Sequence, residues 1–189
     1  MNGNVVLMDG DVGLVARAAA EPEAFAAIYD EHVRPVYNYV RYRVADPAEA
    51  EDVVSSVFQN ALAGVRGYDA SRGSLRQWLF GIARNAVRDH HRRTRRWRLV
   101  PLDALRGRAA RTPAPDERLM KSDAHARLCA ALETLADKER DVLGLRFGAG
   151  LGNREAAELL GLTPNRVAVL VYRALGKLRA QLGKGESCR

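Results

Sequence analysis

The sequence predicts an all-α protein of two small helical domains joined by a flexible linker, the second domain carrying a helix-turn-helix. Three observations predict it. Apolar residues recur at the three-to-four spacing of a buried helical face along most of the chain, and no segment sustains the alternation of a half-buried strand. Residues 99–122 place Pro101, Gly107, Pro113 and Pro115 among scattered Arg and Asp with no apolar period, the composition of a linker. Capping signals at Asp46-Pro47, Ser74 and Thr163-Pro164 open three of the periodic stretches. With 189 residues, 47% of them hydrophobic and 28% charged, the chain has enough apolar surface to bury a core, which excludes disorder throughout.

The first periodic stretch runs through Phe25, Ile28, Tyr29, Val33, Val36, Tyr37 and Val40, with Pro35 expected to kink or break it. Asp46 suits an N-cap, Pro47 the first helical position and Glu49 the third. Behind them Val53, Val54, Val57, Phe58, Ala61, Leu62 and Val65 form one stripe, while Glu49, Glu51, Asp52, Ser56 and Gln59 fall on an acidic, polar face. Residues 64–73 read as a loop from their glycines and small polar residues. Ser74 with Gln77 forms a second capping box, and Leu75, Trp78, Leu79, Ile82, Ala83, Ala86 and Val87 follow it as a stripe. That helix runs on into an arginine cluster, so the first domain is assigned to residues 1–98 and the linker to 99–122.

The second domain, 123–189, begins with a helix bearing Leu128, Leu132 and Leu135 and a next one bearing Val142, Leu143, Leu145 and Phe147. Residues 148–152 are a glycine-rich turn. Asn153 is expected to cap a short helix carrying Ala156, Ala157, Leu159 and Leu160, which Gly161 closes at its C′ position. Thr163 and Pro164 open the last helix at once, with Val167, Leu170, Val171, Ala174, Leu175, Leu178 and Leu182 buried.

The net charge of +7 is not spread evenly. Residues 1–87 carry −3, residues 88–98 carry +5 from six arginines and Asp89, residues 99–162 balance, and residues 163–189 carry +5. Two separate basic patches suggest a polyanion gripped at two places. His90 and His91, set among arginines, read as part of the same nucleic-acid face. The N-terminus shows no basic region followed by an apolar run, so no secretory signal is read, and the apolar runs fall short of the roughly 20 residues that span a bilayer. Cys129 and Cys188 make no disulfide framework, which fits a reduced cytoplasmic protein.

A short helix, a turn containing Gly and a longer basic helix form the helix-turn-helix pattern, whose second helix enters a major groove. On the leading half of that helix the residues off the buried stripe are Asn165, Arg166, Ala168, Val169, Tyr172 and Arg173. Arg pairs with guanine, Asn with adenine, and Ala or Val meets a thymine methyl, while Lys177 and Arg179 suit phosphate. An enzyme is not indicated: His32, His90, His91 and His125 lack metal-ligand spacing, and no P-loop, dinucleotide turn or nucleophile elbow is present, so neither a cofactor nor a metal is expected. A rival binding-protein reading is a stand-alone regulator that joins the helix-turn-helix to a sensory domain and binds duplex as a dimer.

Residues 46–62 followed by 73–93, from Gly73-Ser74-Leu75 through Asn85-Ala86-Val87-Arg88 to Arg92-Arg93, resemble the second conserved region of extracytoplasmic-function sigma factors. Residues 135–143, 155–163 and 172–175 resemble their fourth region. The resemblance implies a promoter-specificity subunit of bacterial RNA polymerase that catalyses no covalent step, is monomeric when free, and has core polymerase, promoter DNA and an anti-sigma factor as partners. It implies that Glu51, Asp52, Ser56 and Gln59 dock the polymerase clamp. Tyr68, Arg72, Asn85, Arg88, Arg92 and Arg93 would hold the melted −10 strand, with Trp97 available to stack, and the 165–173 face with Lys177 would meet the −35 duplex. Ser55-Ser56, Ala136-Asp137 and Ala156 depart from the residues common at those places in the family.

Overall fold

The structure is a computed structural model; it describes residues 6–97 and 127–183, with side chains over 11–95 (Pro22 excepted) and 127–183. The linker assigned to 99–122, the Trp97 side chain, His125 and Cys188 lie outside the described residues. Among the described residues every regular element is helical: α1 (Val6–Ala20), α2 (Phe25–Arg41), α3 (Pro47–Gly64), α4 (Leu75–Trp97), α5 (127–133), α6 (Asp137–Leu143), α7 (Asn153–Leu160) and α8 (Pro164–Gly183). Short 3-10 turns precede α2 and join α3 to α4.

The predicted caps form. Asp46 accepts the Glu49 N–H at 2.8 Å. Ser74 and Gln77 exchange reciprocal bonds, the Ser74 N–H to Gln77 Oε1 at 2.9 Å and the Gln77 N–H to Ser74 Oγ at 3.3 Å. Thr163 Oγ1 accepts the Arg166 N–H at 3.2 Å. Gly161 ends α7 at φ 63°, a left-handed conformation that frees Leu162 N to donate to Ala157 O at 2.9 Å.

Three expectations change. Pro35 does not break α2, because Ile28, Val36, Tyr39 and Val40 on both sides of it are fully buried and their packing offsets the one missing backbone bond. The N-cap of α7 is Gly152, not Asn153, and its N–H is held by the Glu155 carboxylate at 2.6 Å. Phe147 is 52% exposed instead of sharing the stripe of Val142 and Leu145. The cause is a π-helical turn over Gly144–Gly148, in which Ala149 N donates to Gly144 O at 2.8 Å and the side-chain phase slips.

Helix α1 has no counterpart in the sequence reading. Its apolar period is interrupted by Asp and Gly, yet Val15 and Ala18 are buried, and the Asp11 carboxylate accepts the Leu75 N–H at 3.1 Å, so α1 supplies an anion to the N-terminus of α4.

One apolar core runs through both halves. Ile28, Tyr39, Val57, Leu79 and Phe80 share a cluster with Val142, Leu145, Leu151, Ala156 and Val167. A smaller cluster of Leu132, Leu135, Leu143, Ala174 and Leu178 holds α5, α6 and α8 together. Two glycines permit the approach: a Cβ on Gly148 would stand 2.9 Å from both N and Cα of Tyr39, and one on Gly144 would stand 3.0 Å from its ring.

Candidate nucleic-acid interface

Helices α7 and α8, joined through Gly161, Leu162 and Thr163, make the helix-turn-helix. Val167, Leu170, Ala174 and Leu178 anchor α8, which turns Asn165, Arg166, Ala168, Tyr172 and Arg173 to solvent and leaves Val169 half-buried. Tyr172 is 79% exposed, a large ring presented outward. Lys177 differs from its neighbours on the face: its Nζ donates to both Glu139 oxygens at 2.7 and 2.9 Å, which braces α8 against α6. The bond to Lys177 is the main reason the Glu139 carboxyl lies below the usual range.

In the first half, Arg72 and Asn85 line one open cavity of about 420 Å³ between the 67–73 loop and α4. Tyr68 does not line the cavity; its ring packs edge-on to Trp78, which does, at 5.7 Å, and its hydroxyl donates to Gly73 O at 3.0 Å. Arg88, Arg92 and Arg93 are exposed further along α4, Asn85, Arg88 and Arg92 at the i, i+3, i+7 positions of one stripe. Arg92 also pairs with Asp89 at 3.1 Å. Of the six residues expected to bind the strand, Arg72 and Asn85 thus line a cavity and Arg88, Arg92 and Arg93 stand exposed beyond it on α4. The histidines leave it: His90 pairs with Glu49 of α3 at 3.3 Å and His91 is half-buried against the second half, because their positions on α4 face inward while the arginines face out.

The polar face of α3 holds Glu51, Asp52 and Gln59 exposed and Ser56 partly so. Ser56 Oγ donates back to Asp52 O at 2.9 Å. Glu51 and Gln59 border an apolar groove of about 510 Å³ floored by Phe25, Val54 and Phe58 and walled by Tyr29 and Leu62, both over two-fifths exposed. An apolar trough bordered by one carboxylate and polar side chains fits the apolar face of a partner helix.

What the sequence reading missed is the seam between the halves. Tyr39 Oη donates to Asp141 Oδ1 at 2.7 Å, and Arg84 Nε donates to Asp141 Oδ2 at 2.9 Å. Arg84 also donates to Leu159 O at 2.7 Å, Arg43 to Asp137 O at 2.6 Å, and Arg76 to Ala149 O. These partners lie 57 to 102 residues apart, so no local pattern marks them. Burial first, then the Asp141 charge, raises the Tyr39 hydroxyl well above its ordinary value, so it stays a donor.

His91 faces Arg43, Arg140, His90 and Asp137 at the seam, and burial followed by the Arg43 charge lowers its pKa. Burial lowers that of His32 on α2 as well, against the opposing charges of Glu31 and Asp11. Both shifts favour the neutral imidazole in the folded chain. The unfolded chain takes up these protons as pH falls below about 6.5, so folding stability is full above that value and declines beneath it until the lowered folded pKa values are passed. Melting temperature is expected to fall between pH 7.5 and 5.5, and His91→Gln to reduce the slope; a profile unchanged by that substitution would remove His91 as a source of the pH dependence.

Among the described residues no helix is long and apolar enough to cross a membrane, and no group of His, Cys, Asp or Glu is placed to hold a metal ion. The Sigma-70 region 2 family matches residues 28–98 and the Sigma-70 region 4 family matches residues 125–178. The chain is 32% identical over 166 residues to the ECF RNA polymerase sigma factor BldN of Streptomyces coelicolor, covering 87% of this chain and 63% of that protein's length. It is 30% identical to the ECF sigma factor SigL of Mycobacterium tuberculosis over 87% of this chain and 92% of that one. The solved structure of CnrH in complex with the cytosolic domain of CnrY superposes with a TM-score of 0.70 at 27% identity, over 92% of this chain and 97% of that one. RpoE of Bartonella quintana, solved with the anti-sigma factor NepR, shares the fold at TM-score 0.66 and 21% identity, over 84% of this chain and 96% of that one. A stand-alone regulator is disfavoured, since the segment it would need for sensing is the one that matches region 2. With region 2 and region 4 in order on an all-α chain and SigL matched nearly end to end, the protein belongs to the ECF RNA polymerase sigma factors.

Proposed function

We propose that the protein is the promoter-specificity subunit of bacterial RNA polymerase: it binds core enzyme, recognises −35 and −10 elements, and promotes melting for initiation without catalysing a covalent step. The observation that carries this reading is the pairing of an exposed recognition face on α8 with a separate cavity and arginine rail on α4, within segments that match regions 4 and 2. Residues 1–98 serve as the core-binding and −10 domain, 99–122 as linker, and 123–189 as the −35 domain. Glu51, Asp52, Ser56 and Gln59 meet the polymerase. Tyr68, Arg72, Asn85, Arg88, Arg92 and Arg93 take the opened strand, for which a cationic track with a base-sized recess is the required chemistry. Asn165, Arg166, Ala168, Val169, Tyr172 and Arg173 read duplex, and Lys177 reaches phosphate by exchanging its Glu139 partner.

The protein acts in the cytoplasm, where the polymerase is. An anti-sigma factor is a fitting regulator, since a solved relative was captured with the cytosolic domain of a second protein.

Mixing the purified chain with core polymerase is expected to give co-elution and promoter-dependent transcripts, and failure of both overturns the function. Arg166→Ala is expected to cost about 1–3 kcal/mol on promoters with the preferred −35 sequence. An equal loss on altered −35 sequences would make Arg166 a phosphate-binding residue instead. Arg92→Ala with Arg93→Ala should weaken open complexes and flatten their salt dependence by about 0.7 units of slope for each single-strand phosphate that the pair no longer neutralises. An unchanged slope removes these residues from the strand track.

A further inference from the structure

Lys177 lies four residues beyond Arg173 and eleven beyond Arg166, so the three cations follow one stripe of α8 at helical spacing. Arg166 and Arg173 stand exposed, whereas the Lys177 ammonium is held by both oxygens of Glu139 at 2.7 and 2.9 Å. The two ends of this pair sit differently. The Glu139 side chain is 8% exposed and that of Lys177 54%, so the carboxylate is fixed within the protein while the lysine stands at the surface. Glu139 is also held from a second side, its Oε2 accepting the Ala136 N–H at 3.0 Å at the start of α6. When Lys177 turns to a phosphate, the carboxylate keeps that backbone bond and loses two charge-assisted ones in a poorly solvated place, so the exchange is opposed. Helix α8 does not depend on the pair for its seat: Val167, Leu170, Ala174 and Leu178 are buried, and Gln181 Nε2 donates to Thr134 Oγ1 at 2.7 Å.

We propose that Glu139 is a positioning residue for telling promoter from other DNA: it withholds the Lys177 ammonium from phosphate until base contacts of α8 with the −35 element seat the helix in the groove. The proposal rests on the duplex-reading assignment of α8 above. Every duplex offers phosphates, so an unheld lysine adds affinity without regard to sequence. A lysine held by a buried carboxylate transfers only where base contacts keep the backbone close enough for a phosphate to replace both Glu139 oxygens. The contact is then gained on the right sequence and missing on the wrong one, which widens the difference of affinities that constitutes specificity. Other roles for the pair predict other results. A freely available phosphate contact makes Lys177→Ala equally harmful on all DNA, and a purely structural brace leaves salt dependence unchanged on all DNA.

The test titrates holoenzyme containing the full-length chain against a fluorescein-labelled promoter duplex and the same duplex with its −35 element scrambled, at several salt concentrations. Lys177→Ala is expected to flatten the log–log salt slope by about 0.9 on the promoter and to leave the slope on the scrambled duplex as it is. Glu139→Gln, whose amide oxygen can still accept the Ala136 N–H, is expected to steepen the slope by about 0.9 on the scrambled duplex only. Its gain in affinity there is then about threefold larger at about 50 mM salt than at about 200 mM. Adding Lys177→Ala to Glu139→Gln should abolish that gain, which separates a freed ammonium from the mere loss of a negative charge. Equal flattening by Lys177→Ala on both duplexes, no flattening on either, or a gain that survives Lys177→Ala overturns the proposal. Should Glu139→Gln lose its helical circular dichroism, the two Lys177→Ala slopes decide alone. Arg166→Ala separates the two levels of inference. If it leaves promoter affinity unchanged, the duplex-reading assignment fails and the proposal with it; if it weakens the promoter while Lys177→Ala acts equally on both duplexes, only the role of Glu139 fails.

Discussion

Tyr39→Ala is expected to cost about 3–5 kcal/mol of folding stability, the range for emptying a large aromatic site in a core. Tyr39 is fully buried and is among the largest side chains that are. Its ring stands edge-on to Phe80 at 5.8 Å and against Gly144, and its hydroxyl holds Asp141 from the other half. Truncation therefore opens a cavity and leaves a buried carboxylate with Arg84 as its remaining side-chain partner. Tyr39→Phe isolates the second effect and should cost about 1–3 kcal/mol, because the ring stays and only the donor to a charged acceptor is removed. Urea denaturation of the three proteins checks both numbers, a shift in midpoint at constant slope reporting stability. Equal losses for the two variants would mean that the hydroxyl bond dominates and the ring contributes little.

Gly148→Ala, one added methyl, is expected to cost about 1–3 kcal/mol or to part the halves. The new Cβ meets Tyr39 N and Cα at 2.9 Å and the Asn38 carbonyl carbon at 3.0 Å. These are backbone atoms inside α2, so no rotamer change relieves the overlap and either α2 or the π-helical turn must shift. Gly176→Ala is the matched control, since nothing lies within 4 Å of its Cβ direction and alanine favours helix. A melting temperature for Gly148→Ala equal to that of the control would show that the halves are not held at this point.

The elements that local physics governs were legible in the sequence. The Asp46, Ser74 and Thr163 caps and the left-handed Gly161 involve residues a few positions apart, and the stripes of α3, α4 and α8 repeat at helical period. The exposed face of α8 was legible because burying Val167, Leu170 and Ala174 fixes which side chains remain outside. Helix α1 was not, since Asp11 interrupts its apolar pattern and finds its purpose only at Leu75, across the fold. His90 and His91 were placed on the wrong face because the arginines around them dominate composition, while the helical phase turns the imidazoles toward Glu49 and Arg43. Of the residues expected to bind the strand, Arg72 and Asn85 line one cavity, while Glu158 and Leu159 of α7 join its lining through tertiary approach alone.

The π-helical turn at Gly144–Gly148 sets the rotational phase between α6 and the helix-turn-helix that follows. Each residue of an α-helix advances the side chain by about 100°. Excising one residue from this turn would restore the α-helical ladder and rotate everything after it by that angle relative to α6. Phe147, now in solvent, or its neighbour would then confront Tyr39 where the bare Gly148 backbone now fits. A single-codon deletion there thus tests whether the fit of this turn against α2 holds the halves together, with no residue of the exposed α8 face substituted.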